Sequence, residues 1–186
     1  SNLKTDETAT PAMTKLTKTK KIADWLTNTF DKTLSTYKKN ARISVEKLAT
    51  DAWLSMTPEP EKYRGVKINE RWQTEVLSSN GKSLPIGNPG HRQTLAVCIF
   101  DGLRKTSGRK FPTFYDNPGS NISDVVLQKM AKHFWDNTDD QIVMLSHGGG
   151  LRKQNTMDLY GNKLAKAWEL SYSSENTTTS VKEVIQ

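Results

Sequence analysis

Lys110-Phe-Pro-Thr-Phe-Tyr-Asp-Asn-Pro-Gly-Ser-Asn-Ile-Ser123 decides how the rest of this 186-residue chain is read. A short run rich in aromatics stops at Asp116, and Asn117-Pro-Gly119 is a turn sequence, so the stretch reads as a buried strand that delivers an acid to the rim of a sheet. Upstream, Gly87-Asn-Pro-Gly-His-Arg-Gln93 is a second turn-rich cluster, and it opens an apolar helical segment, Thr94 to Lys105. Downstream, Gln141-Ile-Val-Met-Leu-Ser-His147 repeats the pattern of an apolar strand ending in polar residues. Three polar points at the ends of adjacent elements form a candidate phosphate site.

Working outward, helix and strand alternate after residue 87, which predicts an α/β layer with parallel strands. Ligands of such sheets bind beyond the carboxyl ends of the strands, where Asp116 and Ser146-His147 fall. The helix Thr94–Lys105 is expected to bury Leu95, Val97, Cys98, Ile99, Phe100 and Leu103. A further helix, capped by Asn121 or Ser123, is expected to turn Val125, Val126, Met130, Phe134 and Trp135 inward. A helix near Thr156–Ala165 and a last strand Ala167–Tyr172 complete the layer.

Before residue 87, Thr10-Pro11 is a helix start, and Ile22, Leu26, Phe30, Leu34, Tyr37, Ala41, Leu48 and Ala52 recur at helical steps with no Gly or Pro before Pro58. This predicts one long helix or two in line, of a length that suits the stub of a coiled coil. Tyr63–Asn69, Trp72–Leu77 and Leu84–Ile86 read as strands, the last two joined through Ser78-Ser-Asn-Gly-Lys82 as a hairpin. Gly81-Lys82-Ser83 matches the end of a phosphate-binding P-loop, but Val76 stands where that loop needs glycine, and Leu84-Pro85 cannot start its helix. The expected divisions are a polar, frayed segment 1–9, the long helix 10–57, the α/β domain 58–172 and a polar, ragged tail 173–186. The start at Ser-Asn rather than Met reads as a tag-cleavage scar on a piece of a longer chain.

Hydrophobic residues make up 34% of the chain and the mean hydropathy is −0.68, so much of it is surface, linker or solvent-facing helix. No apolar run is long enough to span a membrane. Cys98, the only cysteine, excludes an internal disulfide and a cysteine-rich zinc site and fits a cytoplasmic location. The net charge of +7 favours polyanions; the basic run Lys15 to Lys21 is either a solvated helix face or a DNA-facing one.

An acid directly after an apolar strand can hold Mg²⁺ beside nucleotide phosphates, or can serve only the turn that follows. Glycines at a helix start let backbone N–H groups approach a phosphate, and a histidine after a strand can donate to one. Taken in order, these features resemble the C-terminal half of an ABC-type ATPase head of the SMC/RecF/RecN class, and most of all the DndD-type DNA sulfur-modification ATPases. The resemblance runs over residues 20–180, with the long first helix in the place of the returning coiled-coil arm.

The resemblance implies a C-terminal lobe of a P-loop ATPase head with parallel strands flanked by helices, a long N-terminal helix and a β-hairpin. Asn88-Pro-Gly90-His-Arg92-Gln93 stands in the place of the signature, so that Asn88, Gly90, Arg92 and Gln93 would face the nucleotide of a partner head. Phe111–Asp116 resembles the Walker B strand, with Asp116 as the Mg²⁺ ligand through water, and Gly119–Ser123 resembles the D-loop, with Ser123 on the nucleotide. His147 matches the switch histidine. Implied ligands are ATP and Mg²⁺; implied partners are the N-terminal half of the same head, which carries the missing P-loop, a second head in an ATP-dependent homodimer, and DNA, in repair, modification or restriction.

Three positions depart from that pattern: Asn88 replaces the signature serine, Ser123 the D-loop aspartate, and Asn117 the glutamate that positions the attacking water. An amide cannot take a proton as a carboxylate does. ATP hydrolysis is therefore one expectation, a hydrolysis-impaired nucleotide clamp a second, and a basic DNA- or protein-binding module a third.

Overall fold

A computed structural model describes residues 11–137, 140–145, 165–175 and 177–183. The first helix, α1, runs unbroken over Pro11–Met56. Its many threonines are held by local bonds: Thr17, Thr29, Thr33 and Thr36 each donate Oγ1 to the carbonyl four residues back, at 2.8–2.9 Å. The chain divides into two units, residues 1–44 and 45–186, so α1 belongs to both. In the first unit every described side chain from Met13 to Asn40 is exposed. In the second unit, Val45, Ala49, Ala52, Trp53 and Met56 are all at most 1% exposed and form one wall of its core.

A 3-10 turn, Pro60–Lys62, leads into three antiparallel strands: β1 (Tyr63–Ile68), β2 (Thr74–Ser78) and β3 (Ser83–Leu84), in the order β1-β2-β3. Asn69 shapes the first turn by accepting from Arg71 N and Gln73 N, which brings Trp72 to a φ of 60°, so β2 starts two residues later than expected. The free edge of β1 is closed by side chains of α1. Thr50 Oγ1 bonds both Val66 N and Val66 O at 3.0 Å, and Glu46 accepts from Ile68 N. Gly65 makes this approach possible: its φ is 138°, and a Cβ there would lie 2.3 Å from Thr50 Cγ2. Gly81-Lys82-Ser83 leads into β3 rather than a helix, as the sequence requires of a hairpin.

Helix α2 spans Pro89–Ser107, ended by Gly108 in the left-handed region. Its inward face is Leu95, Val97 and Cys98 together with Asp101, Gly102 and Arg104. Gly102 lies so close to α1 that a Cβ would be 3.1 Å from Val45 O. That close crossing sets the rotation of α2 and leaves Phe100 and Leu103, expected inside, 42% and 44% exposed.

Strand β4 (Thr113–Asp116) begins after Pro112, which has no N–H for a ladder. It pairs in parallel with β5 (Ile142–Leu145), Phe114 beside Val143 and Asp116 beside Leu145. Thr113 and Tyr115 point to the core; Phe114 and Asp116 point out. Between them, α3 (Asp124–Asn137) buries Leu127, Met130, Ala131, His133 and Phe134, so the inward stripe is shifted from the expected one and Val125 is exposed.

This is the one parallel pair among the described residues; the other pairings are antiparallel. The last two strands, β6 (Trp168–Ser173) and β7 (Thr178–Glu183), form an antiparallel hairpin, so the tail expected to be ragged after Ser173 carries a strand. The expected segments Ser146–Gly150 and 156–164 lie outside the described residues. Among those described, no helix is long and apolar enough to cross a membrane.

Candidate nucleotide-facing site

Asn88 caps α2: its side-chain oxygen accepts from Gly90 N at 2.8 Å, and its carbonyl from Arg92 N at 3.1 Å. The Asn88 amide nitrogen has no protein partner among the described residues. Gly90 is pressed against the loop after β4, where a Cβ would sit 2.3 Å from Asn121 O. Only hydrogen fits, so glycine here is a packing requirement as well as a helix-start preference.

One turn on, Gln93 clamps the same two segments. Its Nε2 donates to Asn117 O at 2.9 Å, and its Oε1 receives Ser120 Oγ at 3.4 Å and Asn121 Nδ2 at 3.3 Å. Asn117 is the pivot. Its N–H donates to Leu145 O at 2.7 Å, extending the β4–β5 ladder, its carbonyl receives Gln93 and Ser120 N, and its φ is 48°. Asn tolerates that left-handed conformation better than most residues, through its short polar side chain. Position 117 therefore has a backbone reason for being Asn.

Asp116 ends β4 on its outward face, exposed, its carboxylate without a protein partner among the described residues. Ser123 stands before α3, its carbonyl accepting from Leu127 N at 2.9 Å and its Oγ 3.5 Å from Val126 N. Thus Asn88, Gly90, Gln93 and Asn117 are brought together around the loop 117–121. Arg92 is turned back, its Nε donating to Ile86 O at 2.8 Å. His147 lies outside the described residues.

A buried ionic chain behind this edge was invisible in the sequence. Asp101 accepts from Arg104 at 2.8 Å, Lys105 at 2.7 Å and His133 Nε2 at 2.9 Å; His133 Nδ1 lies 2.9 Å from Ser55 Oγ, and Arg104 also pairs with Asp140. Burial alone would raise the pKa of Asp101, but the bonds from His133, Lys105 and Arg104 outweigh it and hold the carboxyl well below its usual range. The chain fastens α1, α2, α3 and the segment entering β5 to one another. In sequence, Asp101, Arg104 and Lys105 are indistinguishable from the i,i+3 and i,i+4 pairs of a solvated helix.

Burial pushes the Cys98 thiol and the Tyr115 hydroxyl up, with Asp101 adding to both. Cys98 is accordingly an inert core residue.

No model of a known protein family matches the sequence, and no curated protein matches it closely. Solved structures do. A chain from work on ATP-driven dimerization and DNA-stimulated activation of SMC ATPases superposes with a TM-score of 0.61 at 9% identity, over 81% of this chain and 89% of that one. The Smc head domain with an extended coiled coil from Pyrococcus furiosus, bound to the C-terminal domain of ScpA, gives 0.70 at 10% identity, covering 93% of this chain and 42% of that one. The Smc head domain with a coiled coil and joint from Pyrococcus yayanosii gives 0.70 at 11%, over 94% and 33%. The chain thus spans less than half of the last two, and its fold is similar to part of the SMC head domains.

Proposed function

We propose that this chain is the C-terminal portion of an SMC/RecF-like ATPase head and contributes one edge of an ATP–Mg²⁺ site shared between two heads. The observation that carries the reading is the Gln93 clamp: it fixes the N-terminus of α2 beside the turn that follows the strand-end acid. The positive end of the α2 dipole, with the side-chain amide of Asn88 beside it, suits phosphate oxygens, and an exposed carboxylate with no protein partner among the described residues suits a cation. Mg²⁺ keeps most of its waters and takes one or two carboxylates, so a single strand-end carboxylate is a suitable ligand. Asp116 would hold it, and the ion would supply charge neutralisation between the phosphates.

In this reading Asn88 and Gly90 meet the γ-phosphate of the nucleotide bound by the partner head, Ser123 lies on the same side, and His147 senses that phosphate. The N-terminal half of the head covers the outer face of β4–β5. Phe114 is 67% and Leu145 49% exposed on that face, whereas parallel sheets are ordinarily covered on both sides. ATP draws two heads together, and the state of the dimer is coupled to DNA. A DndD-like role in DNA modification, repair or restriction rests on the sequence resemblance alone, and a cytoplasmic location on the single cysteine.

Asn117 favours slow turnover. Without a carboxylate at that place the attacking water has no general base there. The test is Mg-ATP turnover and ATP binding by the parent protein, wild type against Asn117→Glu. A gain in turnover shows that only the base is missing; binding without turnover in both proteins makes the head a clamp; and absence of ATP binding rejects the reading.

A further inference from the structure

The buried ionic chain of the second unit ends at a nucleophile. Ser55 Oγ lies 2.9 Å from His133 Nδ1, and His133 Nε2 lies 2.9 Å from Asp101 Oδ2. Ser55 is exposed, whereas His133 is 6% and Asp101 1% exposed. Arg104 and Lys105 also pair with Asp101 and help to keep it ionised at neutral pH, so its oxygens only accept. A neutral His133 therefore carries its hydrogen on Nε2, and Nδ1 is left as an acceptor facing Ser55. The Ser55 hydrogen has two acceptors, Ala52 O at 2.8 Å and His133 Nδ1, and only the second can take it as a proton. A hydroxyl, an imidazole within hydrogen-bond reach and a third group that orients the imidazole are the parts of an activated serine. Here the serine meets Nδ1 and the carboxylate meets Nε2, the reverse of the usual order, which leaves the path of the proton unchanged.

From this geometry we infer that Ser55 is a nucleophile toward activated carboxylic esters, with His133 as its general base and Asp101 as the residue that positions that base. Ser55 Oγ bonds to the acyl carbon while its proton passes to His133 Nδ1. The bond from that carbon to the leaving oxygen then breaks, and the leaving alkoxide takes the proton. Water, activated by the same imidazole, hydrolyses the acyl-serine and restores the hydroxyl. Ser55 stands in the last turn of α1, the negative end of its dipole, which opposes the charge that develops on the acyl oxygen. Lys129 offsets it. One turn before His133 on α3, its Nζ donates to Thr57 O at 2.6 Å, two residues beyond Ser55, and keeps two further hydrogens for an oxyanion. Arg104 and Lys105 share the Asp101 carboxylate, so less of its charge is left to stabilise an imidazolium, and the fitting substrates are activated esters rather than amides. The inference uses none of the residues of the proposed nucleotide-facing edge and stands independently of that reading.

The test is reaction of the folded full chain with 4-nitrophenyl acetate, followed by release of 4-nitrophenolate and, after an acid quench, by mass-spectrometric mapping of the acetyl group. Wild type is compared with Ser55→Ala and with His133→Gln, whose amide can donate to Asp101 and accept from Ser55 but takes no proton. Circular dichroism checks that both variants keep their helices. Wild type unfolded in urea is the third comparison, and it decides alone should His133→Gln not fold. The expected result is acetyl-Ser55 in the folded wild type, loss of the corresponding nitrophenolate release in Ser55→Ala, and acylation at least about a hundredfold slower in His133→Gln and in the unfolded chain, the lower end of what a general base contributes. Asp101 acts only through the tautomer of His133, so nitrogen-15 NMR reads its role: the hydrogen of the neutral ring should be on Nε2. Release unchanged in Ser55→Ala, equal rates in wild type and folded His133→Gln, or equal rates in the folded and unfolded chain would each overturn the proposal, as would a hydrogen found on Nδ1.

Discussion

The two stretches of α1 share one unbroken helix and have opposite environments. Up to Asn40 the described side chains are exposed, Phe30 and Tyr37 at 70% and 69% among them, while from Val45 onward the inward positions are closed to solvent. Local rules made the helix in both stretches: no Gly or Pro, apolar residues at helical steps, threonines bonded back to the preceding turn. What separates them is what lies alongside. The second stretch meets β1 through Glu46 and Thr50, and Trp53 packs edge-on against Tyr63 and His91. Its stability is tertiary, that of the first stretch is local, and the difference can be measured.

The largest expected effect is at the two tryptophans. Trp53→Ala removes a side chain that is 1% exposed and should destabilise the second unit by about 3–5 kcal/mol. Trp25→Ala, on the exposed stretch, should change stability by less than about 0.5 kcal/mol. Denaturant unfolding followed by circular dichroism compares them, and similar losses would break the distinction. Next comes Asp101→Asn, which strands Arg104 and Lys105 and should cost about 3 kcal/mol or more. It carries a pH signature. The folded Asp101 carboxyl titrates below its unfolded value of about 3.9, so its stabilisation is present above that pH and is lost as pH falls through the lower folded value. Wild-type stability should drop steeply below about pH 4, and the variant should show a shallower drop in acid melts. A smaller effect, about 1–3 kcal/mol, is expected for Gly65→Ala, where both the φ of 138° and Thr50 oppose a Cβ. Thr50→Ser, which keeps the hydroxyl and removes Cγ2, should recover part of that loss.

Sequence reading reached furthest where signals are local. The span of α1 and the strands around Phe114 and Val143 follow from turn chemistry and periodicity, and each stands within a few residues of its expected place. It failed where a helix face is chosen by a neighbour. Phe100 and Leu103 were expected inside because they are apolar, but the close crossing at Gly102 gives the inside to Asp101 and Arg104. Likewise β7, Thr-Thr-Ser-Val-Lys-Glu, has no apolar alternation, and only its pairing with Trp168–Ser173 makes it a strand. At the candidate site, Asn88, Gly90, Gln93 and Asn117 were legible as turn residues in a suggestive order. The clamp between Gln93 and the carbonyl of Asn117 was not, because a contact across twenty-four residues leaves no mark in either segment.

Asp116 is the residue on which an ATP–Mg²⁺ site at this edge depends most directly. Equilibrium binding of Mg-ATP to the parent protein, with head association followed by sedimentation, should show nucleotide-dependent dimers in the wild type and at least a tenfold loss of Mg-dependent binding in Asp116→Ala. Unchanged binding and association in that variant would contradict the assignment of the β4 strand end as the metal-facing edge of a nucleotide site.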